Sequence, residues 1–466
     1  MKFPAYPKYK ASGVEWLGDV PVHWEVIRLR RVLAASLQYG ANESAELDDP
    51  DLPRYVRITD VHENGSLRDE TFRSLPTAVA APYLLDDGDL LFARSGATSG
   101  KTFLYQSSWG VCAYAGYLIR ARMNTRKAFP AFIKYFTTST NYWQWLSSIF
   151  IQSTIQNVSA EKYADLSLSL PPLDEQKAIA AFLDRETGRI DRLVAKKQQL
   201  IERLKEKRTA LVSRTVTHGL PPAAARAAGF AENPLLKDSG VEWLGKIPAH
   251  WSVRRAKHIC AAIIDCKNRT PDYFDDGEFY VVRTTDVKDG QLYLADALKT
   301  DLVNFKEWTL RGAPQKDDVL FTREAPAGEA ALFDGESSIC LGQRMMYFRA
   351  NHSELSPRFL LYFIYGDAAK TYINAESGGS TVTHLRLGQV YNFPVIQPPV
   401  PEQLAIATFL DAETAKLDAL VAMVETAIER LQEYRTALIT AAVTGTIDVR
   451  NTVAESQDKQ VSADAV

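Results

Sequence analysis

Cysteine is scarce in this sequence. Four residues in 466, Cys112, Cys260, Cys266 and Cys340, form no CxxC pair, and none recurs between the two halves of the chain. That argues against a disulfide scaffold and against a structural zinc site, and leaves reduced thiols of a cytoplasmic protein. No apolar run approaches the ~20 residues of a membrane span. The opening MKFPAYPKYK lacks the apolar stretch of a secretory signal. Positive charge is not in excess either: 54 Lys and Arg against 57 Asp and Glu give a net charge of −3, with a pI near 6.2. A purely electrostatic nucleic-acid binder is basic, so any contact with DNA has to come from local patches or be shared with partners. Taken alone, the charge favours a protein-binding scaffold. Catalytic signatures are missing as well: no HExxH, GxSxG or GxGxxG, no Asn-Pro-Pro-Tyr tetrapeptide and no acidic/lysine nuclease cluster. The seven histidines form no ligand pairs at helical spacing.

What the chain has is a repeat. Residues 174–219 carry Ile179, Leu183, Ile190, Leu193, Leu200, Leu204 and Leu211 on a charged background. Steps of three, four and seven place them in one stripe of a long helix, widened by Phe182, Val194, Ile201 and Val212. At ~1.5 Å per residue the rod is roughly 65 Å long, and so narrow a stripe calls for a second helix beside it. That helix lies in the same chain. Adding 227 carries Glu175-Gln176 onto Glu402-Gln403, Phe182-Leu183-Asp184 onto Phe409-Leu410-Asp411, and Arg208-Thr-Ala-Leu211 onto Arg435-Thr-Ala-Leu438. The same shift carries Ser12-Gly-Val-Glu-Trp-Leu-Gly18 onto Ser239–Gly245, and Pro21, His23 and Trp24 onto Pro248, His250 and Trp251.

Between these anchors only a skeleton repeats: Arg57-Ile-Thr-Asp-Val61 answers Arg283–Val287, and Asp89-Leu-Leu-Phe-Ala-Arg94 answers Asp318–Arg323. Short β-type runs with a helical patch at 131–146 read as α/β. The expected organisation is a first domain at 1–170, a long helix at 171–219 and an Ala/Pro linker at 220–238. A second domain at 239–397, a second long helix at 398–446 and a polar, disordered tail at 447–466 complete it. Asp174 suits a helix N-cap and Pro401 a first helical turn. In a parallel helix pair the 18-odd linker residues would have to travel back some 65 Å, while fully extended they reach only ~60 Å. The helices are therefore expected to be antiparallel, with the two α/β domains related by a pseudo-twofold axis.

Candidate contact residues lie in three places. The loop Arg94-Ser95-Gly96-Ala-Thr98-Ser-Gly-Lys101 follows a strand and resembles a phosphate loop, but Gly96 is one residue too close to Gly100-Lys101, and the answering loop from Arg323 to Glu329 has no lysine. Nucleotide hydrolysis is disfavoured; a close approach to DNA and an ordinary surface loop both remain. Arg57 with Thr59, and Arg283 with Thr285, sit beside Asp60 and Asp286. They suit either a structural ion pair or a fork reading guanine. The run 152–157, with Ser153, Thr154, Gln156 and Asn157, aligns with 379–384, with Ser380, Thr381, Thr383 and His384. Small hydrogen-bonding side chains here suit base edges and phosphates, or the capping of a domain end.

The doubled SGVEWLG…P-x-HW (12–24 and 239–251), the doubled PP-x-x-EQ-x-x-I-A-x-FLD (171–184 and 398–411) and the doubled RTAL (208–211 and 435–438) resemble the specificity subunits of Type I restriction–modification systems, over nearly all of 10–446. The resemblance implies two target recognition domains, each reading half of a split double-stranded DNA site, with the helices as a ruler. It implies a chain that is not itself catalytic and carries no cofactor. S-adenosylmethionine is then expected on two modification (methyltransferase) subunits, and ATP with Mg on restriction subunits. The alternative from another class is a two-headed helical scaffold that joins proteins without DNA.

Overall fold

The structure is a computed structural model describing residues 3–62, 65–96, 98–151, 157–377 and 384–450. Two helices dominate it. The first, Leu173–His218, runs for 46 residues and the second, Val400–Val443, for 44. Pro171-Pro172 and Pro398-Pro399 precede them. Asp174 and Glu175 fall in the first turn of one, Pro401 and Glu402 in that of the other, where carboxylates suit the exposed N–H groups and proline has no N–H to lose. Gly219 and Gly445, at φ +90° and +76°, end them in the left-handed conformation that stops a helix.

The chain divides into two compact units: Met1–Lys197 with Thr426–Val466, and Gln198–Glu425. Each holds one α/β domain, the start of one long helix and the end of the other. In the first unit a four-stranded antiparallel sheet has the order Gln38–Tyr39, Leu118–Ala121, Leu90–Ala93, Thr102–Leu104. In the second the order is Cys260–Asp265, Met345–Ala350, Val319–Thr322, Ala330–Leu332. The Leu-Leu-Phe-Ala and Val-Leu-Phe-Thr strands are buried at every residue, which is why they read as continuous rather than alternating apolar runs. A parallel pair lies beside each sheet, Arg54–Val56 with Cys112–Tyr114 and Phe279–Val282 with Ile339–Leu341.

Within each unit the two helix segments run antiparallel. In the first, Ser169 Oγ donates to the Val443 carbonyl at 2.8 Å, and Arg435 reaches Asp191 at 2.9 Å. Ile179, Leu183 and Ile190 share a core with Leu438, Ile439, Ala442 and Val443. In the second, Arg208 reaches Asp418 at 3.0 Å, and Val212 and Val216 share a core with Ile406 and Leu410. The two ion pairs are one interaction seen twice, since 208 and 191 become 435 and 418 under the same shift.

The helix–domain joints also repeat. Gln176 accepts from the Phe129 amide at 2.7 Å and donates to the Pro171 and Lys127 carbonyls; Gln403 accepts from the Ser356 amide at 2.7 Å and donates to the Pro398 and Glu354 carbonyls. Tyr135 donates to Asp184 and Tyr362 to Asp411, at 2.5 and 2.7 Å.

Three details differ from the sequence reading. Leu193 and Leu200 are 40% and 44% exposed; the inward row of the first helix passes instead through Ile190, Val194, Lys197, Ile201 and Leu204. Those steps of four and three follow one face, and the two leucines stand on its neighbour. The supposed linker contains a helix, Pro222–Ala227, and ends in a strand, Leu236–Asp238, paired with Lys246–Pro248 just as Tyr9–Ala11 pairs with Asp19–Pro21. The expected tail begins too early: Ile447 and Val449 pack on the first core and Asp448 N–H donates to the Pro4 carbonyl, because two apolar side chains there have a core to enter.

Candidate nucleic-acid interface

The glycine-containing loop is the turn of a hairpin. It joins Leu90–Ala93 to Thr102–Leu104, and a strand rather than a helix follows it. A phosphate loop presents its amides from a helix N-terminus, so the resemblance to one ends here. Gly100 is needed for packing: at φ +89° an added Cβ would stand 2.0 Å from Leu146 Cδ2. Gly96, at φ +79° with open space around it, serves the turn. The answering turn joins Val319–Thr322 to Ala330–Leu332, and Thr322 Oγ1 braces it by donating to the Pro326 carbonyl at 2.7 Å.

Each hairpin meets the segment that precedes its long helix. Ser95 bridges Asn157, and the Arg94 carbonyl accepts from the Val158 amide at 2.9 Å. In the second unit Glu324 bridges His384, and the Arg323 carbonyl accepts from the Leu385 amide at 3.0 Å. Candidates far apart in sequence thus form one surface in each domain. Ser153, Thr154, Gln156, Ser380, Thr381 and Thr383 lie outside the described residues.

The side chains differ between the domains. Arg94 stacks over the Tyr39 ring at 4.8 Å and its Nε points to Asn157 Oδ1 at 3.4 Å. Arg323 turns inward instead. Its side chain is 13% exposed, and Nε stands 3.8 Å from Asp265. Burial holds the Asp265 carboxyl above its usual range, with Arg323 and Arg311 pulling it partly back. Glu324 stands between His384 Nδ1 at 3.3 Å and Arg344 Nε at 3.7 Å.

Arg57 and Arg283 take the ion-pair arrangement. Arg57 Nε and Nη2 donate to both oxygens of Asp60 at 3.0 and 2.8 Å, and Nη2 also reaches the Thr71 carbonyl at 2.7 Å. Asp60, 1% exposed, accepts the Arg57 amide and caps a short 3-10 turn. Arg283 and Asp286 repeat the motif at 3.4 and 3.3 Å, and Thr59 and Thr285 each donate to the aspartate that follows. Thr98 and Lys101 line a cleft of about 410 Å³ with Ile58, His62, Lys134 and Asp184; burial lowers the Lys134 ammonium pKa. Among the described residues no group of three or more His, Cys, Asp or Glu side chains could hold a metal ion, and no helix is long and apolar enough to cross a membrane.

Sequence reasoning missed Tyr39, Tyr117, Glu324 and Arg344. Tyr117 and Arg344 stand 227 residues apart, but no shared motif surrounds them, and it is the matching bonds from the Arg94 and Arg323 amides to their carbonyls that show the correspondence.

Each unit thus carries an α/β domain, two antiparallel helix segments and a polar hairpin surface, one architecture built twice. The chain belongs to the family of the Type I restriction modification DNA specificity domain, which matches it twice, at residues 21–203 and 248–430. The two matches are offset by the same 227 residues. It is 22% identical over 451 residues to a putative Type I restriction enzyme MjaX specificity subunit of Methanocaldococcus jannaschii, covering 93% of this chain and 96% of that one. It is also 22% identical over 448 residues to the EcoKI specificity subunit of Escherichia coli strain K12, covering 92% and 90%. Its fold is similar to one chain of a structure describing complex assembly and conformational transition of the type I R-M system, with a TM-score of 0.68 at 17% identity, over 92% of this chain and 99% of that one. The HsdS subunit from Thermoanaerobacter tengcongensis gives a TM-score of 0.51 at 16% identity, over 92% and 98%.

Proposed function

We propose that this Type I DNA specificity subunit reads a bipartite double-stranded site, one half per domain, and directs adenine methylation and restriction by partner subunits in the cytoplasm. The observation that carries this reading is the doubled hairpin surface. Its backbone repeats, from the bridge of Ser95 with Asn157 to that of Glu324 with His384, while its side chains do not. A common frame with different residues suits two different half-sites. The long helices act as the ruler between them. Two modification subunits would supply S-adenosylmethionine chemistry, and restriction subunits ATP and Mg; this chain contributes recognition. Arg57, Thr59, Arg94, Ser95, Gly96, Thr98, Lys101, Asn157, Arg283, Thr285, Arg323 and His384 are the described candidates for contact, with Arg94 and its neighbours better placed than Arg57, whose fork is held by Asp60, and than Arg323, which turns inward toward Asp265.

The acidic balance is the observation that favours a scaffold without DNA. A gel shift with and without modification subunits separates the two, and mapping methylated adenines in the host genome gives the site. A split motif lost when this subunit is deleted is expected. Purified complexes that ignore DNA would leave the scaffold.

A further inference from the structure

We infer that two corresponding tip residues, Tyr117 in the first domain and Arg344 in the second, decide which base pair each domain accepts, and that Arg344 reads a guanine in the major groove. The inference rests on the specificity reading above and adds residues to it.

The two tips share a hydrogen-bonded position in the turn but not a conformation, since Arg344 has a φ of +73° and Tyr117 has no positive φ. The Arg94 amide donates to the Tyr117 carbonyl at 3.0 Å, and the Arg323 amide donates to the Arg344 carbonyl at 2.8 Å. Through the carbonyls of Arg94 and Arg323, the same strands grip the segments before the long helices. Tyr117 and Arg344 therefore stand at one position of one frame, beside the candidate contact loops. Tyr117 is 65% exposed, a large aromatic left in water. The Arg344 side chain is 50% exposed, on a residue at φ +73°, a conformation costly for arginine that the bond to Arg323 helps to hold.

The arginines have changed places between the domains. In the first, Arg94 of the hairpin is half-buried over Tyr39 and the tip is a phenol. In the second, the hairpin arginine, Arg323, is drawn in toward Asp265, so it offers no exposed fork, and the tip supplies one. Glu324 lies on the Nε side of Arg344 and is steadied from the other side by His384. The terminal nitrogens of Arg344 have no partner among the described residues. Two parallel N–H donors on a positioned guanidinium match O6 and N7 of guanine. A phenol has no such fork and offers a ring to a thymine methyl or a base edge instead. The two half-sites should therefore differ at the corresponding base pair.

The test uses the full chain assembled with modification subunits, on a library of sites randomised in both halves. Arg344→Asn is the informative variant, because asparagine tolerates positive φ and the turn keeps its shape. One position in one half-site should lose its preference for guanine, with the cognate site weakened roughly 5- to 150-fold. Tyr117→Arg should add a guanine preference at the matching position of the other half. An Arg344→Asn complex with wild-type preferences at every position would overturn the assignment. So would uniform weakening across all sequences with a shallower salt slope, the signature of a phosphate contact. Unchanged reading by Tyr117→Arg would overturn the equivalence of the tips. A wild-type complex with no sequence preference would overturn the specificity reading itself, which sets the two failures apart.

Discussion

Glu175 accepts the indole N–H of Trp24 at 3.0 Å, and Glu402 accepts that of Trp251 at 2.9 Å. Both tryptophans are fully buried, and in each unit a histidine, His23 or His250, reaches the same carboxylate. This is the joint between domain and long helix. The two copies differ in one donor: the Tyr6 hydroxyl also bonds Glu175, at 2.6 Å, and the aligned residue is Asn233. A buried donor left without an acceptor costs about 1–3 kcal/mol. Glu175→Ala should therefore cost about 2–5 kcal/mol and Glu402→Ala less by about one such donor. Denaturant melts of both variants check this; an equal or larger loss for Glu402→Ala would remove Tyr6 from the account.

Arg57 and Arg94 should fail differently. Arg57→Ala leaves the buried Asp60 without its countercharge and frees the Thr71 carbonyl, so it should lower stability by about 1–3 kcal/mol. Arg94→Ala, which loses a stacking contact and a long hydrogen bond, should leave stability within about 1 kcal/mol and disturb only the half-site read by the first domain. Melts and methylation maps of both variants settle the division. A stable Arg57→Ala protein with altered sequence preference would reverse it.

Asp265 makes a pH prediction. Burial raises its pKa in the folded chain, so above the ordinary aspartate value of ~3.9 the native state keeps a proton that the unfolded chain has lost. Stability contributed here is present below that value and falls as pH rises through the raised one. Asp265→Asn should flatten this part of the profile, the fall that sets in above the ordinary aspartate value. A steeper profile in the variant would mean that Arg323 and Arg311 dominate over burial.

The repeat was legible because the joints hold it in place. Trp24 with Glu175, Gln176 with the Phe129 amide, and Tyr135 with Asp184 are contacts between points fixed in sequence, so their residues recur at one spacing. The hairpin surface was only half legible. Arg94 and Asn157 stood out as polar loop residues and do meet, but nothing local tells that Arg323 turns inward, since its partner Asp265 lies on another strand. Tyr117 and Arg344 are unlike side chains at one hydrogen-bonded position, which no motif records. Leu193 and Leu200 misled because adjacent rows of a long helix both contain leucines, and counting cannot say which row faces the partner.

If the helices set the spacer, changing their length changes the site. Four residues inserted after Lys197, matched by four after Val424, add ~6 Å and overshoot one turn by about 40°. Methylation mapping should then find a longer spacer between unchanged half-sites, or no methylation at all. The original spacer in the matched insertion would end the ruler idea.

Residues 1–220 alone should form a dimer that rebuilds the missing half. In the intact chain Leu438, Ile439, Ala442 and Val443 complete the first core, Arg435 pairs with Asp191, and Thr440 Oγ1 accepts the Thr140 amide at 3.0 Å. Shifted by 227, the first helix offers Leu211, Val212, Thr215, Val216, Arg208 and Ser213 for the same places. In the second unit Arg208 already pairs with Asp418, and Ser213 Oγ accepts the Asp367 amide at 2.9 Å. An antiparallel pair of first helices is therefore nearly the native arrangement made self-complementary. Two substitutions weaken it: Thr215 in place of Ala442, and the half-buried Lys197 in place of Val424, whose stem can lie along the seam while its charge stays wet. The dimer should be looser than the native pairing. With modification subunits it should methylate a palindrome made of the first half-site twice. Light scattering followed by methylation mapping tests both steps, and a monomer at tens of micromolar, or methylation of the original asymmetric site, would refute the idea.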